Sequence, residues 1–117
     1  MRPVFLVLEK SELVAEDLVD LIRGQAPAAD IRISNSSEEL NRIIEAIDSV
    51  AVAILNGNIQ APEIQTLADK IQKRGGRVVL HGDEDAPEHL TNGGKIVQIR
   101  GPFTSQMIQD AIFSRDQ

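Results

Sequence analysis

The sequence predicts a three-layer α/β sandwich built on a five-stranded parallel sheet. Three observations predict it. Short apolar runs alternate with segments of helical period along the 117 residues. Three of those runs are apolar on both faces, as strands covered by helices on two sides must be. The other two alternate polar and apolar residues, which suits the edges of a sheet.

The elements follow in order. Val4–Leu8 is a continuous apolar strand. Glu12–Arg23 follows as a helix, with Ser11 as its N-cap and Val14, Leu18, Leu21 and Ile22 on one face. Asp30–Ile33 alternates and reads as an edge strand. Ser36 and Glu39 stand at capping-box spacing, opening a helix whose stripe is Leu40, Ile43, Ile44 and Ile47. Ala51–Leu55 is the third strand, and Asn56, Gly57 and Asn58 make the loop after it. Pro62 suits the first turn of a third helix, which buries Ile64, Leu67, Ala68 and Ile71 and ends at Gly75–Gly76. Val78–Leu80 is the fourth strand. The polar stretch from Gly82 to Gly94 carries Pro87 and leaves room for only a short helix. Ile96–Ile99 alternates, with Gln98 outward, and Ser105–Phe113 forms the last helix on Ile108, Ala111 and Ile112. Three central strands and two edges give the order 2-1-3-4-5, the flavodoxin-like order, in one domain spanning residues 1–117. In such a sheet the functional crevice lies outside the carboxyl ends of strands 1 and 3.

Composition narrows the function. With no cysteine, disulfides, thiolate catalysis and thiolate-bound zinc are excluded. Two histidines cannot make a three-histidine metal site, and no local spacing supports a mixed one, so no metal or cofactor is expected. The net charge of -6 repels phosphate backbones and anionic membranes, so neither nucleic acid nor membrane is an expected partner. No apolar run is long enough to span a bilayer, and the N-terminal segment lacks a signal-peptide pattern; the expectation is a cytoplasmic protein. Three phenylalanines and no other aromatic residue are too few for a base-stacking platform.

The crevice then collects Glu9 and Lys10 after strand 1, Asn56 after strand 3, His81 after strand 4, and Arg100 and Gly101 after strand 5. Lys10 puts a positive charge where a divalent cation would want a second hard oxygen ligand. Asn56 cannot form an acyl phosphate. His81 has no nucleophile to activate, because there is no cysteine and no serine in a nucleophile-elbow context. Neither glycine-rich phosphate-binding fingerprint occurs. No catalytic residue is assigned, and the chain reads as a non-enzyme.

These residues carry a resemblance. Val4 to Ser11 is similar to the first strand and acidic loop of the receiver domains of bacterial two-component response regulators. Ala53 to Ile59 resembles the strand and loop that present the phosphoacceptor. Leu67 to Gly75 and Val78 to Gly82 resemble the third helix and fourth strand. Pro102-Phe103 followed by Met107 to Ile112 is similar to the start of the family's last helix. The resemblance covers essentially the whole chain, and its departures carry meaning. It places the Mg²⁺-holding acidic pair on Glu9 and Lys10, the phosphoacceptor aspartate on Asn56, the hydroxyl switch residue on His81 and the phosphoryl-contacting lysine on Gly101, one place from Arg100. It therefore implies an atypical, phosphorylation-independent receiver lacking the phosphoacceptor aspartate, used as a signalling or regulatory domain that binds other proteins. Lys10 beside a neutral Asn56 then reads as a tethered substitute for the missing cation.

Two other readings compete. One is a receiver that accepts phosphate elsewhere, with Asp83 and Asp85 on the wrong loop for it. The other is a small flavodoxin-like enzyme or ligand-binding module using the crevice near Asn56 and His81. With the chain taken to end at Gln117, output is expected to run through a separate partner. The expected interface is the outer face of the first and last helices. Helical spacing turns Val19 and Phe113 outward there, for a homodimer or another protein.

Overall fold

The computed structural model describes residues 3–56, 61–81 and 96–99. Five strands run through this part of the chain: β1 (Val4–Leu8), β2 (Asp30–Ser34), β3 (Val52–Asn56), β4 (Arg77–His81) and β5 (Ile96–Ile99). Three helices alternate with them: α1 (Glu12–Gln25), α2 (Ser37–Glu45) and α3 (Ala61–Lys73). Backbone pairing orders the sheet β2-β1-β3-β4, all parallel, and β5 pairs in parallel with β4.

Alternation of side chains along each strand divides the core in two. Leu6, Leu8, Ala53, Leu55, Val78 and Leu80 pack against Leu40 and Ile44 of α2 and Ile64, Leu67, Ala68 and Ile71 of α3. Phe5, Val7, Val52, Ile54 and Val79 pack on the other side, against Leu18 and Ile22 of α1. The result is a three-layer sandwich, as the sequence predicts. Its expected central strands β1, β3 and β4 are buried on both faces, and β2 lies at an edge with Arg32 and Ile33 exposed.

The helix signals operate locally. Ser11 accepts from the Val14 N–H at 3.4 Å and caps α1. Ser36 accepts from the Glu39 N–H at 3.1 Å and caps α2. The Glu39 carboxylate reaches back to the Asn35 N–H at 3.1 Å rather than to the cap residue's own, so the capping box is displaced by one residue. α2 is tied to α3 by polar contacts outside the core. Lys70 Nζ donates to Asn41 Oδ1 at 2.6 Å and to Glu45 Oε2 at 2.9 Å. The hydrogen bond and charge of Lys70 hold the Glu45 carboxyl below its ordinary range.

Several boundaries differ from the sequence expectation. α1 runs through Gly24 to Gln25, because an exposed glycine weakens a helix without ending it. β2 extends to Ser34, and β4 gains Arg77 and His81. β3 starts at Val52 and includes Asn56, whose backbone pairs with His81, so Asn56 closes the strand rather than opening the loop. The buried line of α1 is Ala15, Leu18 and Ile22, with Val14 and Leu21 only partly covered. Val19 is half-buried, and Leu13 is the exposed large apolar residue of α1, at 69%. The last helix, with Phe113, lies outside the described residues.

The end of α3 makes a stability test. Gly75 has φ of 82°, the left-handed conformation that closes a helix and that only glycine adopts without strain. Gly76 is held by space: a Cβ there would meet Ile71 Cγ2 at 2.6 Å, Val50 Cγ1 at 3.0 Å and the Ile71 carbonyl at 3.1 Å. Gly75→Ala should lower stability by about 1–2 kcal/mol and Gly76→Ala by about 1–3 kcal/mol, both measured by urea denaturation.

Candidate functional site

In a parallel sheet every strand ends on the same side, so the residues that follow the strands share one edge. Leu8 pairs with Ser34 on one side and Leu55 on the other. Asn56 pairs with His81. This register sets Glu9, Asn56 and His81 in a row at the carboxyl edge, where the strand order reverses around β1 and β3. Arg100, Gly101, Gly57 and Asn58 lie outside the described residues.

Glu9 is the best-defined member of this row. It is buried, with 7% of its surface exposed. Its backbone N–H donates to the Ser34 carbonyl at 3.0 Å, which carries the β1–β2 ladder one residue past the strand. Its carboxylate Oε2 accepts from the Ser11 N–H at 2.9 Å. Ser11 in turn caps α1, so the acid is fastened to the amino end of that helix, where backbone N–H groups favour negative charge. Lys10, the next residue, is exposed. Sequence reasoning singles out Glu9 but not this bond; the only signal for it is an acid two places before a helix cap.

His81 is half-buried, and its Nδ1 is shut off from solvent. The described residues contain no group of three or more His, Asp or Glu placed to hold a metal ion. The imidazole of His81 and the backbone-bound carboxylate of Glu9 give this edge hydrogen-bonding capacity.

A second concavity, a shallow groove of about 400 Å³, lies between α2 and α3. Its polar side chains answer one another: Ser37 Oγ donates to Glu63 Oε2 at 2.7 Å, and Lys70 is engaged by Asn41 and Glu45. Among the described residues no helix is long and apolar enough to cross a membrane.

No family model matches the sequence, and no curated protein matches it. Solved structures do. A response regulator receiver domain protein from Bacillus halodurans aligns with a TM-score of 0.70 at 12% identity, covering 96% of this chain and 95% of that one. The chemotaxis protein CheY4 of Vibrio cholerae aligns with a TM-score of 0.71 at 12% identity, over 92% of this chain and 93% of its own. The fold is receiver-like. A de novo designed Rossmann 2x3 protein also aligns, with a TM-score of 0.60 at 16% identity, covering 96% of this chain and 86% of that one. At such identities the likeness is one of fold, and function rests on the site.

Glu9 supplies the test of how the edge is built. Glu9→Ala removes an acceptor from the Ser11 N–H and should lower stability by about 1–2 kcal/mol, measured by urea denaturation with a chelator present. Glu9→Gln keeps an oxygen at that place and should lose less. An acid whose work is to hold a cation would behave oppositely, since removing it from the metal-free protein relieves buried charge.

Proposed function

We propose that residues 1–117 form one receiver-like regulatory domain that binds other proteins and works without phosphorylation. The observation that carries the reading is Asn56 at the carboxyl end of β3, beside His81 of β4. That is where the receiver resemblance puts the phosphoacceptor, and an amide cannot make an acyl phosphate. The neighbours support it. Lys10 follows Glu9 where a second acid would help hold Mg²⁺, and Gly101, next to Arg100, follows β5 where a lysine would contact the phosphoryl group. On this reading the protein is a cytoplasmic signalling component with no reaction and no cofactor of its own, and its partners are proteins rather than nucleic acid or membrane. Lys10 serves as the tethered cation of the crevice.

Acetyl phosphate and beryllofluoride with Mg²⁺ should leave the amide NMR spectrum unchanged. Asn56→Asp alone should not acquire robust phosphorylation by mass spectrometry, because Lys10, His81 and Gly101 remain. A saturable response of the parent that Glu9→Ala abolishes would overturn the reading.

The partner surface is proposed on the outer face of α1 and the last helix. Phe113 is its centre, and Val19, half-buried, contributes the flank. Aromatic residues concentrate at interface centres, and this chain has three. Phe113→Ser should reduce recovery of the partner in pull-downs from cell extract, with thermal stability little changed.

A further inference from the structure

The edge strand β2 carries an inference that does not depend on the regulatory reading. An edge strand presents a row of backbone groups that another strand can pair with, and proteins usually protect it with charge, proline or cover. Here β2 ends the sheet order, and its residues Arg32 and Ile33 are exposed, Ile33 at 44%. Arg32 is the expected protecting charge. Yet Asp30, two residues earlier on the same face, forms an exposed ion pair with it, Nη2 to Oδ2 at 3.2 Å.

The existing ladder shows which backbone groups face outward. The Asp30 N–H donates inward to the Pro3 carbonyl at 2.8 Å, and the Ser34 carbonyl accepts inward from the Glu9 N–H at 3.0 Å. Backbone groups alternate sides along a strand, so Asp30, Arg32 and Ser34 are turned to β1. The N–H and C=O of Ile31 and Ile33 therefore point away from the sheet. A second strand must meet those two residues.

We propose that two copies of this chain join edge to edge through β2, antiparallel about a two-fold axis, with Ile31 opposite Ile31 and Asp30 of each copy opposite Arg32 of the other. The partner is a second copy because the charge pattern is complementary to itself. A two-fold contact places each residue against a fixed counterpart on the same patch. Three antiparallel registers bring outward-facing isoleucines together. Setting Ile31 against Ile33 puts Arg32 opposite Arg32, and like charges directly across are unfavourable. Setting Ile33 against Ile33 puts Arg32 opposite Ser34 and leaves Asp30 unmatched. Only the register centred on Ile31 forms an opposite-charge pair, and it forms it twice. In it the central isoleucines exchange two backbone hydrogen bonds and the exposed Ile33 comes to face Ala29. The Ala29 N–H already donates to the Ala26 carbonyl at 3.0 Å, so the shared ladder is short and the association weak.

Sedimentation velocity in low-salt buffer, from about 10 μM to about 1 mM, tests this. The parent should shift from monomer to dimer mass, and added salt should shift it back. Asp30→Arg and Arg32→Asp should each associate about tenfold more weakly or worse, because each places like charges opposite. Mixed in equal amounts, the two variants should recover the dimer. In the mixed pair the introduced arginine faces the introduced aspartate, and the unaltered Arg32 of one copy faces the unaltered Asp30 of the other. Ile33→Pro removes an outward N–H and none turned to β1, so it should be monomeric at an unchanged circular dichroism spectrum. Phe113→Ser should leave the dimer intact, which separates this contact from the proposed partner face. A parent that stays monomeric at every concentration overturns the proposal. So does a mixture that fails to recover the dimer, or a folded Ile33→Pro variant that still dimerises.

Discussion

Burial of β1 and β3 on both faces is the constraint on which the rest of the described structure depends. Leu6, Val7, Ala53 and Leu55 are fully closed to solvent, with Leu6, Ala53 and Leu55 against α2 and α3 and Val7 on the side of α1. A slip of one residue would exchange the two faces and confront each helix with side chains chosen for the other layer. The pairing of Leu8 with Leu55 is therefore fixed by the core, not by anything at the crevice. Because the strands are parallel, fixing their register also fixes where they stop. Glu9, Asn56 and His81 are brought to one edge as a consequence of packing several residues away.

The same constraint explains how a carboxylate can be buried at that edge. Taking a charge out of water is unfavourable unless donors replace the lost solvent. Glu9 meets the requirement through the Ser11 N–H, at the amino end of the helix that Ser11 itself caps. Ser34, buried at the end of β2, accepts from the Glu9 N–H and directs its hydroxyl to the Val7 carbonyl at 3.4 Å. One acid thus joins the end of β1 to the start of α1.

Much of this is legible in the sequence, for identifiable reasons. Continuous apolar runs mark β1, β3 and β4 because burial on two faces leaves no polar position. Asp30 and Arg32 mark β2 as half-exposed. Ser11 and Ser36 mark helix starts because capping uses side-chain oxygens at a fixed offset. Size alone puts Val14 and Leu21 at the centre of the buried face of α1, whereas Ala15, Leu18 and Ile22 are the buried residues and Val14 and Leu21 pack against the core only partly covered. Val19 is half-buried and Leu13 is exposed. The turn preference of asparagine puts Asn56 in the loop, but its backbone bonds to β4 outweigh that preference. The bond from Ser11 to Glu9 depends on the local path of the chain between a strand and a helix, which no periodicity encodes.

Natural receiver domains and a designed Rossmann 2x3 protein both superpose on this chain, so the frame by itself assigns no function. What a chain does with the frame depends on what can bias it. In a protein that switches, a ligand or modification must interact differently with two states, and one that meets both equally shifts nothing. An acyl phosphate supplies that difference by adding charge and acceptor oxygens at the end of β3. Asparagine there offers no attachment for them. On the proposed reading, a bias would come from a contact that buries one arrangement of the surface in preference to another. The surfaces able to supply it are those where burial is incomplete, the edge of β2 and the outer side of α1 among them.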